Sequence, residues 1–152
     1  MTFEEIKTLV ESGGFSRHTG IEIVEAEDGK ATGRIVLSQI HGNPIGSVHG
    51  GCIFTLVDTV AGVAFVTSGK TCTTLSSNID FLNAAIDSKV LTAKAWPVRF
   101  GNHIAVLDVH VTDEKNRLIA RASVTFYVLK NLKMRQEGGK DEFYTFTCSY
   151  GI

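Results

Sequence analysis

Cysteine and net charge are scarce in this chain, and one long stretch is almost without charged residues. Its three cysteines, Cys52, Cys72 and Cys148, are odd in number and show neither a CxxC pair nor any other metal-type spacing. Reduced thiols in a cytoplasmic protein are the simplest reading, and no metal site is expected. With 15 basic and 16 acidic residues the net charge is −1, so no bulk electrostatic attraction to nucleic acid or to anionic lipid is expected. No internal repeat, low-complexity tract or second domain is evident. The N-terminal MTFEEIKTLVESGG is acidic and amphipathic, and it reads as neither a signal peptide nor a transit peptide.

The third absence is the most informative. Between Gln39 and Gly69 the only Asp, Glu, Lys or Arg is Asp58. The segment GSVHGGCIFTLVDTVAGVAFVTSG, from Gly46 to Gly69, reads as an apolar helix with that carboxylate in its middle. A charge on a core helix costs several kcal/mol unless it is paired or used. The apolar part, Gly51 to Ser68, is nearly long enough to cross a bilayer. It carries Thr55, Asp58, Thr59, Gly62 and Thr67 and has no basic flank, so no membrane insertion is expected.

The chain has 152 residues, 43% hydrophobic and 20% charged, which suffices for one domain around a single core. Thr2 followed by Glu5 is a capping-box pattern, and Phe3, Ile6, Leu9 and Val10 make one helical face. A short helix over 2–12 is expected, ended by Ser12-Gly13-Gly14. Residues 20–27 alternate apolar and polar, Asp28-Gly29 offers a hairpin turn, and 31–38 pair back. A loop over 39–48 leads into the apolar helix. Four strand-like runs follow, 72–82, 89–99, 103–113 and 117–129, with tight turns at Phe100-Gly101-Asn102 and Asp113-Glu114-Lys115-Asn116. Pro97 marks an edge position or a bulge. The order predicts a strand pair, a long helix and a four-strand meander. That is an α+β domain whose antiparallel sheet curls around a central buried helix. The domain is expected over 1–130. Residues 131–152 form a tail, with a linker-like Gln136–Lys140 and a strand-prone FYTFT, expected to be docked or disordered.

Val48-His49-Gly50-Gly51 stands at the entrance of the apolar helix. Glycines there let backbone approach backbone or ligand closely. The first N–H groups of a helix lack internal partners and carry partial positive charge, so they can hold an anion or a developing oxyanion. Asp58 lies about two turns further on, roughly 10–12 Å up the axis. Both ends of one helix therefore cannot grip one small reacting group. The distance predicts that a second copy of the chain supplies one half of the site.

The run Asn43-Pro44-Ile45-Gly46-Ser47-Val48-His49-Gly50-Gly51, followed by Leu56-Val57-Asp58 and Gly62, closely resembles the active-site motif of hotdog-fold acyl-CoA thioesterases of the PaaI-like family. In that family an Asn or Gln stands six residues before the His of an HGG, and an Asp or Glu stands nine residues after it. Asn43, His49 and Asp58 match both offsets. Asn78-Ile79-Asp80-Phe81-Leu82 resembles the family's second core strand, and Val98–Asn102 and Leu118–Ala122 resemble its later hairpin and last strand. The likeness covers about residues 15–130. It departs at Asn83–Ser88, where relatives usually carry Pro and then Gly.

The resemblance implies a hotdog fold, acyl-CoA as substrate, no cofactor, and a homodimer with continuous sheets, with dimers pairing into a homotetramer. One chain would give Asn43, His49 and the Gly50 N–H, and its partner Asp58. The Gly50 N–H would stabilise the oxyanion. Asp58 would act as general base or as nucleophile. Asn43 would position the carbonyl or the water, and His49 would support the loop and donate to the carbonyl. A helper hydroxyl is expected on the following strand: Thr74 first, with Ser76 read as sharing its face. Gly51 is read as a substrate contact, and Phe54 and Phe81 as apolar walls of the acyl pocket. Arg99, Asn102 and His103, with Arg121 as a further candidate, are read as contacts to coenzyme A. Two other readings stay open. A hotdog hydratase or dehydratase would need a His shortly after Asp58, and the next one is His103. A non-catalytic acyl-CoA-binding protein would keep the fold alone. Cys52 near the helix N-terminus is either a favoured thiolate or a small buried residue, and His41 with His49 lacks a third ligand for a metal.

Overall fold

The computed structural model describes residues 1–129; the expected tail 131–152 lies outside the described residues. Helix α1 (Phe3–Ser12) starts as the Thr2/Glu5 spacing predicts. Thr2 N–H donates to Glu5 Oε2 at 2.8 Å, and Glu5 N–H donates to Thr2 Oγ1 at 3.2 Å, a reciprocal capping box. Gly13 ends this helix, but the chain turns at once into a second, five-residue helix, α2 (Gly14–His18). The glycine pair thus separates two helices instead of opening a loop.

Strands β1 (Ile21–Glu27) and β2 (Lys30–Val36) form the expected hairpin. Asp28 and Gly29 have φ of 47° and 78°, the left-handed pair that a two-residue turn of this hand requires. The turn is tied to the end of the apolar helix: Gly29 N–H donates to Thr67 Oγ1 at 2.7 Å, and that hydroxyl donates to Ala64 O at 2.7 Å.

The apolar segment forms α3 (Gly50–Val66). Leu56, Val57, Val60, Ala61, Ala64 and Phe65 are fully buried against the sheet. The opposite face is uncovered in the single chain. Phe54 is exposed, Asp58 half-buried, and Gly62 has open space beside it. The central helix is buried as expected on the side that the sheet covers, and one chain leaves its other side open. Among the described residues, no helix is long and apolar enough to cross a membrane.

Strands β3 (Thr71–Phe81), β4 (Val90–Phe100), β5 (Ile104–Asp113) and β6 (Leu118–Leu129) complete one sheet in the order β1-β2-β4-β5-β6-β3, every pair antiparallel. The four-strand meander expected from the sequence is corrected here. Only β4, β5 and β6 meander. β2 occupies the side of β4 that β3 would need, so β3 lies beyond β6 and forms the sheet edge. Pro97 sits on an inner strand, at a bulge between Pro97 and Arg99, which relieves its missing N–H. The sheet wraps around α3, and Gly33 of β2 lies close against it. A side-chain carbon there would stand 2.5 Å from Val60 Cγ2.

Candidate active site

The loop before α3 is built by its own side chains. Asn43 Oδ1 accepts from the N–H groups of Ile45 (3.1 Å) and Ser47 (3.0 Å), and Asn43 Nδ2 donates to Ser47 Oγ (2.8 Å). Gly46 makes the bend, at φ 82°. The loop is anchored by His49 N–H to His41 O (2.8 Å) and Val48 N–H to Ala85 O (3.1 Å). His41 is buried and locked: Ser38 N–H donates to Nδ1 at 2.9 Å, which leaves Nε2–H to donate to Thr19 O at 3.1 Å. Both ring nitrogens are thus spent on backbone, and His41 serves the loop.

His49 is the N-cap of α3. Its Nδ1 accepts from Gly51 N–H at 2.8 Å, so a neutral ring carries its proton on Nε2. Cys52 and Ile53 donate to His49 O. Gly50 N–H alone in this first turn has no acceptor among the described residues. Gly50 also lies under the Phe81 ring, where a side-chain carbon would stand 3.3 Å from Cζ. The reading of Gly51 as a substrate contact is narrowed, because its N–H is committed to the cap. Burial pushes the Cys52 thiol up to about 11, so the neutral thiol prevails over the thiolate alternative.

Strand β3 runs back along α3. Phe81 therefore lies beside Gly50, and the start of the strand lies beside Asp58. Thr74 Oγ1 donates to Asp58 Oδ1 at 2.8 Å. Burial, and secondarily the Asp58 charge, pushes the Cys72 thiol up to about 12. Ser76 does not share the face of Thr74. A bulge lies between them: Thr74 is opposite the buried Phe126, Ser76 opposite Thr125, and Ser77 opposite the buried Val124. Directly opposed residues point to the same side, so the extra residue, Leu75, turns Ser76 outward and brings Ser77 onto the helix side. The Ser77 hydroxyl is buried with no hydrogen-bond partner among the described residues. No signal in the sequence distinguishes Ser77 from Ser76, because a bulge leaves the alternation of residue types unchanged.

The candidates therefore fall into two groups within one chain. Asn43, His49, Gly50, Gly51 and Phe81 gather at the start of α3. Asp58 and Thr74 lie two turns on, with Phe54 exposed between the groups on the helix. Arg99, Asn102 and His103 are exposed on and after the end of β4. They adjoin the cross-strand row Thr74, Phe126, Ala105, Phe100 and so belong with the Asp58 half. Arg121 pairs with Asp80 at 3.0 Å. It alternates with the buried Ala120 and Ala122, which places it on the side of the sheet away from α3.

Residues 45–120 match the family model of the thioesterase superfamily. The acyl-coenzyme A thioesterase PaaI of Escherichia coli is 25% identical over 118 residues, covering 78% of this chain and 84% of that protein. Its structure superposes with a TM-score of 0.79 over 84% of this chain and 93% of that chain, at 23% identity, a likeness of fold. Human acyl-coenzyme A thioesterase 13 is 29% identical over 126 residues, covering 80% of this chain and 90% of that protein. A hypothetical thioesterase protein of Streptococcus pneumoniae TIGR4, solved with coenzyme A, is 33% identical with a TM-score of 0.68, covering 72% of this chain and 85% of that chain. Structures of its Asp-to-Ala and Thr-to-Ala variants match as well, and the two changed positions are sixteen residues apart. The six-stranded antiparallel sheet around one helix is thus the hotdog fold, and the chain belongs to the thioesterase superfamily as an enzyme of the thioester-hydrolase class.

Proposed function

We propose that the chain hydrolyses acyl-CoA thioesters to the free acid and coenzyme A, in sites that a second copy of the chain completes. The Asp58–Thr74 pair carries this reading. It is a carboxylate on the uncovered face of an apolar helix, held by one hydroxyl at 2.8 Å with no other hydrogen bond among the described residues. An interval of sixteen residues separates Asp58 from Thr74, and the same interval separates the two changed positions of the pneumococcal protein.

In the proposed reaction, water gives a proton to Asp58 as its oxygen adds to the thioester carbonyl carbon. Charge moves to the carbonyl oxygen, which the Gly50 N–H of the other copy receives. The tetrahedral intermediate then re-forms C=O and breaks the C–S bond. The thiolate takes the proton from Asp58 and leaves as coenzyme A. One oxyanion donor of this kind is worth about 2.7–4 kcal/mol. His49 Nε2–H is a second donor toward the carbonyl. Thr74 orients the carboxylate. Asn43 acts through the loop that holds His49 and Gly50, and is a positioning residue. Direct attack by Asp58 would pass through an anhydride instead. Single turnover in ¹⁸O water tests for the anhydride, because label enters Asp58 only when an anhydride is hydrolysed at the aspartyl carbonyl.

The dimer reading rests on the β3 edge. Its outer side pairs with nothing among the described residues, and Leu75 and Phe81 on it are 55% and 53% exposed. An unprotected edge with apolar side chains is a template for a second strand. Joining two such edges would also bring the uncovered faces of the two α3 helices together. Arg99, Asn102 and His103 are the groups proposed to meet the phosphates of coenzyme A. Paired dimers forming a tetramer, and a cytoplasmic setting for the free thiols, complete the proposal. The test is thiol release from a panel of acyl-CoAs. Asp58→Asn is expected to lower kcat by about 10²-fold or more, and turnover equal to wild type would sink the assignment.

A further inference from the structure

A groove of about 460 Å³ runs between α2, the 39–42 turn and the first turns of α3. His49 and Gly51 line one wall of it, so it adjoins the start of α3, where Gly50 lies. Volumes in this range suit small-molecule recognition. Phe15 and Ile40 also line it, and they are 67% and 70% exposed. Large apolar side chains left in water gain when a ligand covers them, by roughly 25 cal/mol per Å².

The polar side chains of the groove are mostly spent on the protein itself. Thr55 Oγ1 donates to Gly51 O at 2.8 Å, and Thr19 Oγ1 donates to Ser16 O at 3.0 Å. Both nitrogens of His41 are engaged, and so is Nδ1 of His49. The Cys52 wall is a protonated thiol. Among its side chains only the His18 ring and the Nε2 edge of His49 keep a donor for a ligand, and the two threonine oxygens can still accept. An amide-bearing pantetheine arm would lose hydrogen bonds to water here and find few replacements. An apolar acyl chain loses none.

We infer that the apolar acyl group of the thioester substrate lies in this groove, and that Phe15 and Ile40 set the preference for its length. This rests on the thioesterase reading, and it moves the acyl group away from the Phe54 and Phe81 walls expected from the sequence. The test measures affinities for octanoyl-CoA, acetyl-CoA and free coenzyme A by calorimetry in an Asp58→Asn background, where the thioesters persist, alongside kcat/KM for the two thioesters with Asp58 intact. Wild type is compared with Phe15→Ala and Ile40→Ala; both side chains are largely exposed, so truncation leaves the core intact. The expected result is a fall of about tenfold in the octanoyl-to-acetyl ratio of both affinity and kcat/KM in each variant. An unchanged ratio overturns the inference. Equal losses for all three ligands, free coenzyme A included, also overturn it and assign the groove to the pantetheine arm. A shifted affinity ratio in a protein that releases no thiol would uphold the groove and sink the thioesterase reading alone.

Discussion

Asp113 shows how one residue in a turn acquires a measurable role. Its carboxylate is 3% exposed, yet it accepts from Lys115 N–H (3.0 Å), Arg117 N–H (2.9 Å) and Arg117 Nε (3.0 Å). Burial pushes its pKa up, but these donors and the guanidinium charge outweigh burial and hold it below 3.8. A folded pKa below the unfolded one stabilises the fold above about pH 3.8, and the contribution fades as pH falls through the folded value. Asp113→Asn is therefore expected to lower Tm at neutral pH, with the gap to wild type closing below about pH 4. Thermal scans across pH check this, and a gap that stays constant would refute it. From the sequence, Asp113 was legible as a turn residue and no more. Alternation says which side of a strand a residue takes, whereas its bonding depends on where the next turn folds back.

At the scale of elements, the β2–α3 contact limits what the core tolerates. Gly33→Ala would drive a methyl group onto Val60. The expected cost is about 1–3 kcal/mol for overpacking, read as a lower urea midpoint. A midpoint equal to wild type would show that α3 is free to shift. The hairpin at Asp28-Gly29 and the helix α3 were legible, because turn chemistry and periodicity act locally, whereas Pro97 was legible as either an edge position or a bulge, and it is the bulge that forms, on an inner strand. The position of β3 was not. Its own residues would suit either neighbour, and the choice is made by β2 taking the side of β4. The outward turn of Ser76 was hidden for a related reason. The bulge at Leu75 inserts a residue without altering the pattern of Thr and Ser around it.

For the whole molecule, one chain holds Gly50 and Asp58 apart on one helix, about 12 Å along the axis, so their proposed partnership needs two copies. Gly50→Pro deletes the proposed donor at a position where helices accept proline, since it is the first residue of α3, and the Phe81 ring, 3.3 Å from the added Cβ, must shift slightly to admit it. Asp58→Asn disables the other half. If two copies share each site, neither variant works alone, yet the two can rescue each other. A mixed dimer has one site with both good halves and one with neither. Co-refolding equal amounts should restore about a quarter of wild-type turnover at statistical mixing. Mixtures no more active than their components would place the whole site within one chain. On the proposed shared site, the eight-residue interval on α3 would make activity a property of pairs, so that two inactive alleles of this chain would complement each other in the same cell.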